Sequence, residues 1–291
     1  MTYNAQHAAY LALCEQAVTQ AAEHFMRYGA SGEEESTVGR AAAYSLLNGG
    51  KRVRGVLLLA VCDMLGGDIQ AAAPLAAAQE MVHAFSLIHD DLPCMDNDDM
   101  RRGKPACHIA FGEAAALLAG DMLAAAALEE AAAVSAEAVQ CLAGATRSMI
   151  YGQELDMRYE NEPADEAALH AIHRHKTGAL LCAAARLGAL AAGVQGEKAE
   201  AAAAYAAQVG LVFQIVDDIL DVTGDEKTLG KPVGSDVKQA KTTFVTLYGL
   251  QQAAEDARAI TAQAVKDLQT QFGGRAAFLC EFAERLAQRA F

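Results

Sequence analysis

Alanine runs dominate this chain, and they constrain its fold more than any motif does. Stretches such as "LLAGDMLAAAA" (117–127) recur, and few segments alternate β-branched residues as a strand would. Alanine is the strongest helix former, so an all-α chain is expected. Helical periodicity and turn signals place about ten helices, near 4–28, 34–48, 52–65, 71–91, 107–127, 131–160, 165–192, 197–222, 239–270 and 274–289. Pro74, Pro93, Pro105, Pro163 and Pro232 are all expected at helix boundaries. None of the breaks is a long Ser/Gly/Pro linker, so residues 1–291 are read as a single domain.

Composition narrows the function classes. At 53% hydrophobic the chain has ample material for a core. A formal charge of −14 argues against a nucleic-acid partner, which needs a broadly basic face, but leaves room for a small anion held by local cations. Seven cysteines are scattered singly, without a CxxC pair, and no signal-like segment is seen; reduced thiols and a cytoplasmic location are expected. Asp121 and Arg186 interrupt the most apolar stretches, so no membrane span is expected.

Two acidic clusters stand out against this background. In "FQIVDDILD", Asp217 and Asp221 lie about 40° apart and one turn up on a helix, on one face. Like carboxylates at that spacing destabilise a helix, and Ile215, Val216, Ile219 and Leu220 around them predict burial. A buried carboxylate must be protonated, paired with a base or bound to a metal. In "DDLPCMD", Asp90 and Asp96 would point apart on an ideal helix, but Pro93 ends it, and the turn lets Asp96 come back beside Asp90. Oxygen ligands without paired Cys or His suit Mg2+, which is held by one or two carboxylates plus substrate phosphates. A single DDxxD is more often a solvated helix end. Two such clusters on apolar helices, each leading into one of the long loops 92–106 and 223–238, point instead to a diphosphate–Mg2+ site.

Few cations are available, and they group at the breaks. "GGKRVRG" supplies Lys51, Arg52 and Arg54 where free N–H groups at a helix start would favour phosphate. "MRRGK" adds Arg101, Arg102 and Lys104; "HRHKTG" adds Arg174 and Lys176; "TLGKPVGSDVKQAKTT" adds Lys231, Lys238 and Lys241. Solvation is the plain alternative for each lysine taken singly.

In order and approximate spacing, "GGKRVR", "HAFSLIHDDLPCMDNDDMRRGKP", "HKTG", "FQIVDDILD" and "LGKPVGSD" resemble the trans isoprenyl diphosphate synthases, from about residue 40 to 250. With four residues between Asp91 and Asp96 the first aspartate motif resembles the short-chain bacterial form, and the chain as a whole looks most like the bacterial farnesyl diphosphate synthases, or geranyltranstransferases. The resemblance implies an all-α, single-domain isoprenoid synthase fold, with helices around a central active-site cavity and usually two copies per assembly. It implies that geranyl or dimethylallyl diphosphate is coupled head to tail to isopentenyl diphosphate. By motif position Asp90, Asp96, Asp217 and Asp221 would ligate Mg2+, usually three ions. Arg101, Lys176, Lys231 and Lys241 would hold the allylic diphosphate, and Lys51, Arg54, His83 and Arg102 that of isopentenyl diphosphate. Thr177 and Gln214 would sit beside the reacting carbon, while Asp91, Asp218 and Asp236 would act one step removed from the metal.

Phe85 lies five residues before Asp90, about 7.5 Å deeper along the helix. An aromatic there resembles the floor that stops the chain at fifteen carbons. Geranyl and geranylgeranyl diphosphate synthases are the nearest alternatives, and a metal-dependent diphosphate hydrolase or a non-catalytic diphosphate-binding protein the more distant ones. The family's basic C-terminal tail is not matched: "LAQRAF" offers only Arg289, with no role assigned by the resemblance.

Overall fold

The structure is a computed structural model that describes residues 1–26, 36–159, 162, 164–223 and 241–290. The all-α expectation holds. In chain order the helices are α1 (Tyr3–Met26), α2 (Thr37–Leu46), α3 (Val53–Met64), α4 (Ile69–Asp90), α5 (Cys107–Phe111), α6 (Glu113–Val134) and α7 (Ala136–Arg158). There follow α8 (Glu166–Ile172), a π-helical segment (His173–Gly178), α9 (Ala179–Ala191), α10 (Glu197–Thr223), α11 (Phe244–Tyr248), α12 (Leu250–Phe272) and α13 (Ala277–Ala287), with a 3-10 turn over Gln288–Ala290.

Most boundaries fall within a few residues of expectation, and the exceptions have local causes. The helix expected over 107–127 breaks at Gly112 and that over 239–270 at Gly249, where φ values of 86° and 82° cannot continue a right-handed helix. The next helix starts late because Ser135 is extended and its hydroxyl accepts from the Ala138 N–H at 3.1 Å, an N-cap that lets α6 run on to Val134. Pro74 is not at a boundary but inside α4. The cap is Asp68, whose side chain accepts from the Gln70 N–H at 2.9 Å and starts the helix upstream. The segment expected as a pure loop after Asp91 holds a small antiparallel hairpin, β1 (Met100–Arg101) with β2 (Lys104–Pro105).

The chain divides into two compact units, Met1–Leu59 with Asp68–Leu142, and Ala60–Gly67 with Ala143–Phe291. In the first, α4 packs on α1, α2 and α6, burying Leu75, Met81 and Leu123. In the second, α10 packs on α9, α12 and α13, and Leu169, Ile215, Ile219 and Phe244 share a core. By length and composition α10 would span a membrane, but half of its most apolar window is buried against these neighbours, as in the core helix of a packed unit.

One buried ion group fixes the start of α3. Arg52, 3% exposed, points inward rather than joining a surface phosphate site. Its Nε donates to Glu15 Oε1 at 2.8 Å, Nη2 donates to the Leu46 carbonyl at 2.8 Å, and Nη1 lies 3.6 Å from Glu80 Oε2. Glu80 also accepts the Gly55 N–H at 2.9 Å, taking one of the helix-start donors that the sequence had left for an anion. Four helices thus meet at one guanidinium. Replacing Arg52 with Met strands the buried Glu80 charge and is expected to lower the unfolding free energy by about 3–5 kcal/mol, read from urea midpoints against the parent chain. An unchanged midpoint would show that the group is not structural.

Candidate active site

In the first unit the turn after α4 does what Pro93 predicts. Asp91 caps the helix, and the chain reverses so that the Asp96 N–H donates to the Asp90 carbonyl at 2.8 Å. The Met95 and Asn97 N–H groups both donate to the Leu92 carbonyl, and Asn97 takes a left-handed φ of 55° to close the turn. Asp90 and Asp96 therefore leave from one helix end, as a shared metal would require. Among the described residues no three His, Cys, Asp or Glu side chains form a ready-made metal cage. A donor set of one or two carboxylates, completed by phosphate oxygens, suits Mg2+ rather than a metal held by protein ligands alone.

The hairpin separates two neighbouring arginines. Its turn residues Arg102 and Gly103 both have positive φ, 52° and 76°, the geometry that a tight two-residue hairpin demands. Tyr44 Oη donates to the Pro105 carbonyl at 2.8 Å and Asn48 Nδ2 to the Arg101 carbonyl at 3.1 Å, which seat the hairpin on α2. Arg101 is thereby aimed at Asp91, with Nε 2.9 Å from Oδ1, and at Asp98 at 3.2 Å. Burial pushes the Asp91 carboxyl above its ordinary value and Arg101 opposes that shift; burial disfavours the Arg101 charge, but the bond to Asp91 raises it. Arg102 turns the other way and donates to the Gly49 carbonyl. Gly50, at φ 123°, lies so close that a Cβ there would meet the Arg102 guanidinium at 2.8 Å.

His83 stands among these cations. Burial pushes it well below its ordinary value, and Arg54, Arg102, Arg52 and Arg101 push it further. A neutral imidazole amid four guanidinium groups marks a field that favours an anion. Arg54 lies half-buried on α3 and Lys51 is exposed just before it. Phe85 is 6% exposed on α4, its ring 5.7 Å from that of His89.

In the second unit "HRHKTG" forms the π-helical segment. Such bulges widen a helix by one residue and frequently occur at functional sites. Two glycines make room for it. A Cβ on Gly152 of α7 would overlap the Lys176 backbone nitrogen, and one on Gly210 of α10 would meet the Gly178 Cα at 3.3 Å. Lys176 Nζ donates to Asp156 Oδ2 at 2.6 Å, and Lys241 Nζ reaches the same oxygen at 3.5 Å. Burial alone would raise the Asp156 carboxyl, yet Lys176 and Lys241 outweigh it and hold it below its ordinary value. Thr177 is buried beside Lys176 in the same segment. Asp218 accepts the Phe244 N–H at 2.8 Å, so it anchors the segment carrying Lys241. Asp217 is partly exposed and Asp221 buried on the last turns of α10, with Gln214 half-buried one turn earlier. Lys231, Lys238, Asp236 and nearly all of the loop 223–238 lie outside the described residues.

Sequence reasoning did not name Asp156. Its signal was Gly152, an isolated glycine inside a helical pattern four residues earlier, which marks a close backbone approach on the same face.

Comparison with known proteins follows the same lines. The polyprenyl synthetase family profile matches residues 35–273. The chain is 45% identical over 271 residues to geranylgeranyl pyrophosphate synthase 11, chloroplastic, of Arabidopsis thaliana, covering 88% of this chain and 76% of that protein. It is equally 45% identical over 237 residues to the farnesyl diphosphate synthase of Escherichia coli, covering 77% and 79%. Its structure resembles that of a geranyltransferase from Helicobacter pylori complexed with magnesium and isoprenyl diphosphate. The TM-score is 0.78 at 32% identity, covering 97% of this chain and 96% of that one.

The π-helical segment also makes the second unit acid-sensitive. Burial, with help from His170 and Lys176 against the opposing Asp156, pushes His173 down to about 4. Its ordinary value lies near 6.5, so between those pH values the unfolded chain binds the proton and the folded one does not. Stability therefore falls as pH drops from about 6.5 to about 4, by roughly 2–3 kcal/mol from this group. His173→Phe, which keeps a ring against Phe244, is expected to flatten that part of the denaturation-versus-pH curve; parallel curves for the two chains would exclude His173 as the source.

Proposed function

The chain belongs to the polyprenyl synthetase family of prenyltransferases, and we propose that it makes farnesyl diphosphate. It would couple geranyl diphosphate, and dimethylallyl diphosphate before it, to isopentenyl diphosphate. The observation that carries a two-substrate reading is the divided hairpin: Arg102 is turned to the Gly49 carbonyl, while Arg101 is locked on Asp91 beside the acidic turn. An enzyme with one diphosphate needs only one of these groups. Lys51, Arg54, His83 and Arg102 are read as holding isopentenyl diphosphate. Arg101, Lys176, Lys231 and Lys241 are read as holding the allylic diphosphate.

Asp90, Asp96, Asp217 and Asp221 are the proposed Mg2+ ligands, for three ions by family resemblance. Bound Mg2+ neutralises charge that develops on the departing diphosphate. Arg101 and Lys176 share that task from fixed positions. As the allylic C–O bond breaks, its electron pair leaves with diphosphate, and the buried Thr177 hydroxyl and Gln214 amide turn oxygen dipoles to the cation. The double bond of isopentenyl diphosphate supplies the pair for the new C–C bond, and a proton then passes to the departed diphosphate. Orientation of the second substrate supplies much of the rate, so the rigid seat of Arg102 matters as much as its charge. Geranylgeranyl diphosphate is the second reading, favoured by the plant relative of equal identity.

The assembly is proposed to be two copies of this chain, supported by exposed Ile109, Leu117 and Leu118 in the first unit and Ile150 and Tyr151 in the second. A cytoplasmic location is proposed in keeping with seven free thiols.

Incubation with geranyl diphosphate, isopentenyl diphosphate and Mg2+, followed by identification of the lipid, tests this reading. Farnesyl diphosphate is expected from the parent chain, and Asp90→Ala or Asp217→Ala should reduce turnover at least 1000-fold at saturating Mg2+, an order-of-magnitude expectation for lost electrostatic stabilisation. Near-parental rates would remove the metal assignment, and a twenty-carbon product would select the second reading. Phe85→Ala, checked first for folding because burial makes it destabilising by about 3–5 kcal/mol, should lengthen the product. An unchanged fifteen-carbon product would discharge Phe85 from setting the length.

A further inference from the structure

The C-terminal arginine, left without a role by family resemblance, has a partner in the structure. The 3-10 turn Gln288–Ala290 lies against α10. There Arg289 Nη1 stands 3.7 Å from Asp217 Oδ1, and its guanidinium carbon lies 5.8 Å from the centre of the Phe213 ring. Phe213 and Asp217 are four residues apart on α10 and share a face, so one guanidinium covers both. Arginine cannot give up its charge in a protein, and its flat head suits an aromatic face as well as a carboxylate.

From this geometry we propose that Arg289 is a positioning residue that neutralises Asp217 while the second acidic cluster holds no metal, and that an incoming divalent cation displaces it. The inference rests on the reading of Asp217 as a metal ligand. Asp217 and Asp221 repel each other across one helical turn, and a fixed cation at one of them relieves that repulsion without a metal. The side chains of Arg289 and Asp217 are 32% and 39% exposed, so the pair is weak enough to exchange. An ion pair this open is worth roughly a two- to five-fold change in an equilibrium constant. The metal must overcome that factor before it takes the carboxylate, and the C-terminal turn is released as it does so.

The test is Mg2+ binding, not turnover. The full chain is titrated with Mg2+ by calorimetry in the presence of inorganic diphosphate, alongside Arg289→Gln, Arg289→Lys and Asp217→Asn, each confirmed folded by its thermal melt. Arg289→Gln is expected to bind Mg2+ two- to five-fold more tightly than the parent chain, and Arg289→Lys to restore parental affinity. Backbone amides of residues 286–290 should exchange faster with solvent once Mg2+ and diphosphate are added, with no such change in Asp217→Asn. Equal or weaker Mg2+ affinity in Arg289→Gln overturns the inference, and weaker affinity would mean that Arg289 holds the metal–diphosphate rather than competing with it. If Asp217→Asn loses Mg2+ while Arg289→Gln is unchanged, only the role of Arg289 falls. If Asp217→Asn binds as the parent does, the metal reading of Asp217 falls and takes this inference with it.

Discussion

Within each unit, cations brought close together repel one another, and carboxylates sunk among them are what allow the fold to hold them there. Asp156 shows the principle most directly: one half-buried oxygen receives both Lys176 and Lys241, and their charge outweighs the desolvation that would otherwise protonate it. Asp91 likewise receives Arg101, although burial still leaves its carboxyl above its ordinary value, and Glu80 with Glu15 receives Arg52. None of these carboxylates needs to touch a substrate to matter. Each sets where a positive side chain stands before any ligand arrives, which is the preorganisation that electrostatic catalysis requires.

Backbone irregularity is the second device. The π-helical segment shifts Lys176 and Thr177 relative to a regular helix, and its backbone packs closely on Gly152 and Gly210, which carry no Cβ to obstruct it. The Arg102–Gly103 turn, with both residues at positive φ, sends two consecutive arginines to different partners. An ordinary helix would have placed those arginines about 100° apart on one surface. Local strain of this kind persists where packing on either side over-determines it, and here Tyr44, Asn48 and Gly50 do so.

The same charge arrangement ties stability to pH. His83 and His173 are both held below their ordinary values, the first by burial with arginines around it and the second by burial beside Lys176. Each stays neutral in the folded chain while a free imidazole would begin to charge, so acid acts on both units in the same direction.

Much of this was legible in the residues themselves, for reasons that are local. Alanine content and helical period specify the elements, Pro93 specifies the reversal that returns Asp96 to Asp90, and the order of the charged motifs specifies the family. Helix limits were misjudged where a single residue decides: the left-handed backbone of Gly112 and Gly249, the serine cap at 135, and the aspartate cap at 68 that carries Pro74 inside a helix. What only the tertiary structure decided is which charge meets which. Arg52 and Arg54 look alike in "GGKRVRG", yet one is buried against Glu80 and the other is not. Asp156 and Lys176 are 20 residues apart, and Asp217 and Arg289 farther still, so no local pattern encodes those pairs. A propensity is a property of neighbours along the chain, whereas a pKa, a desolvated ion pair and a glycine contact are properties of neighbours in space, and they come into being only when the helices pack.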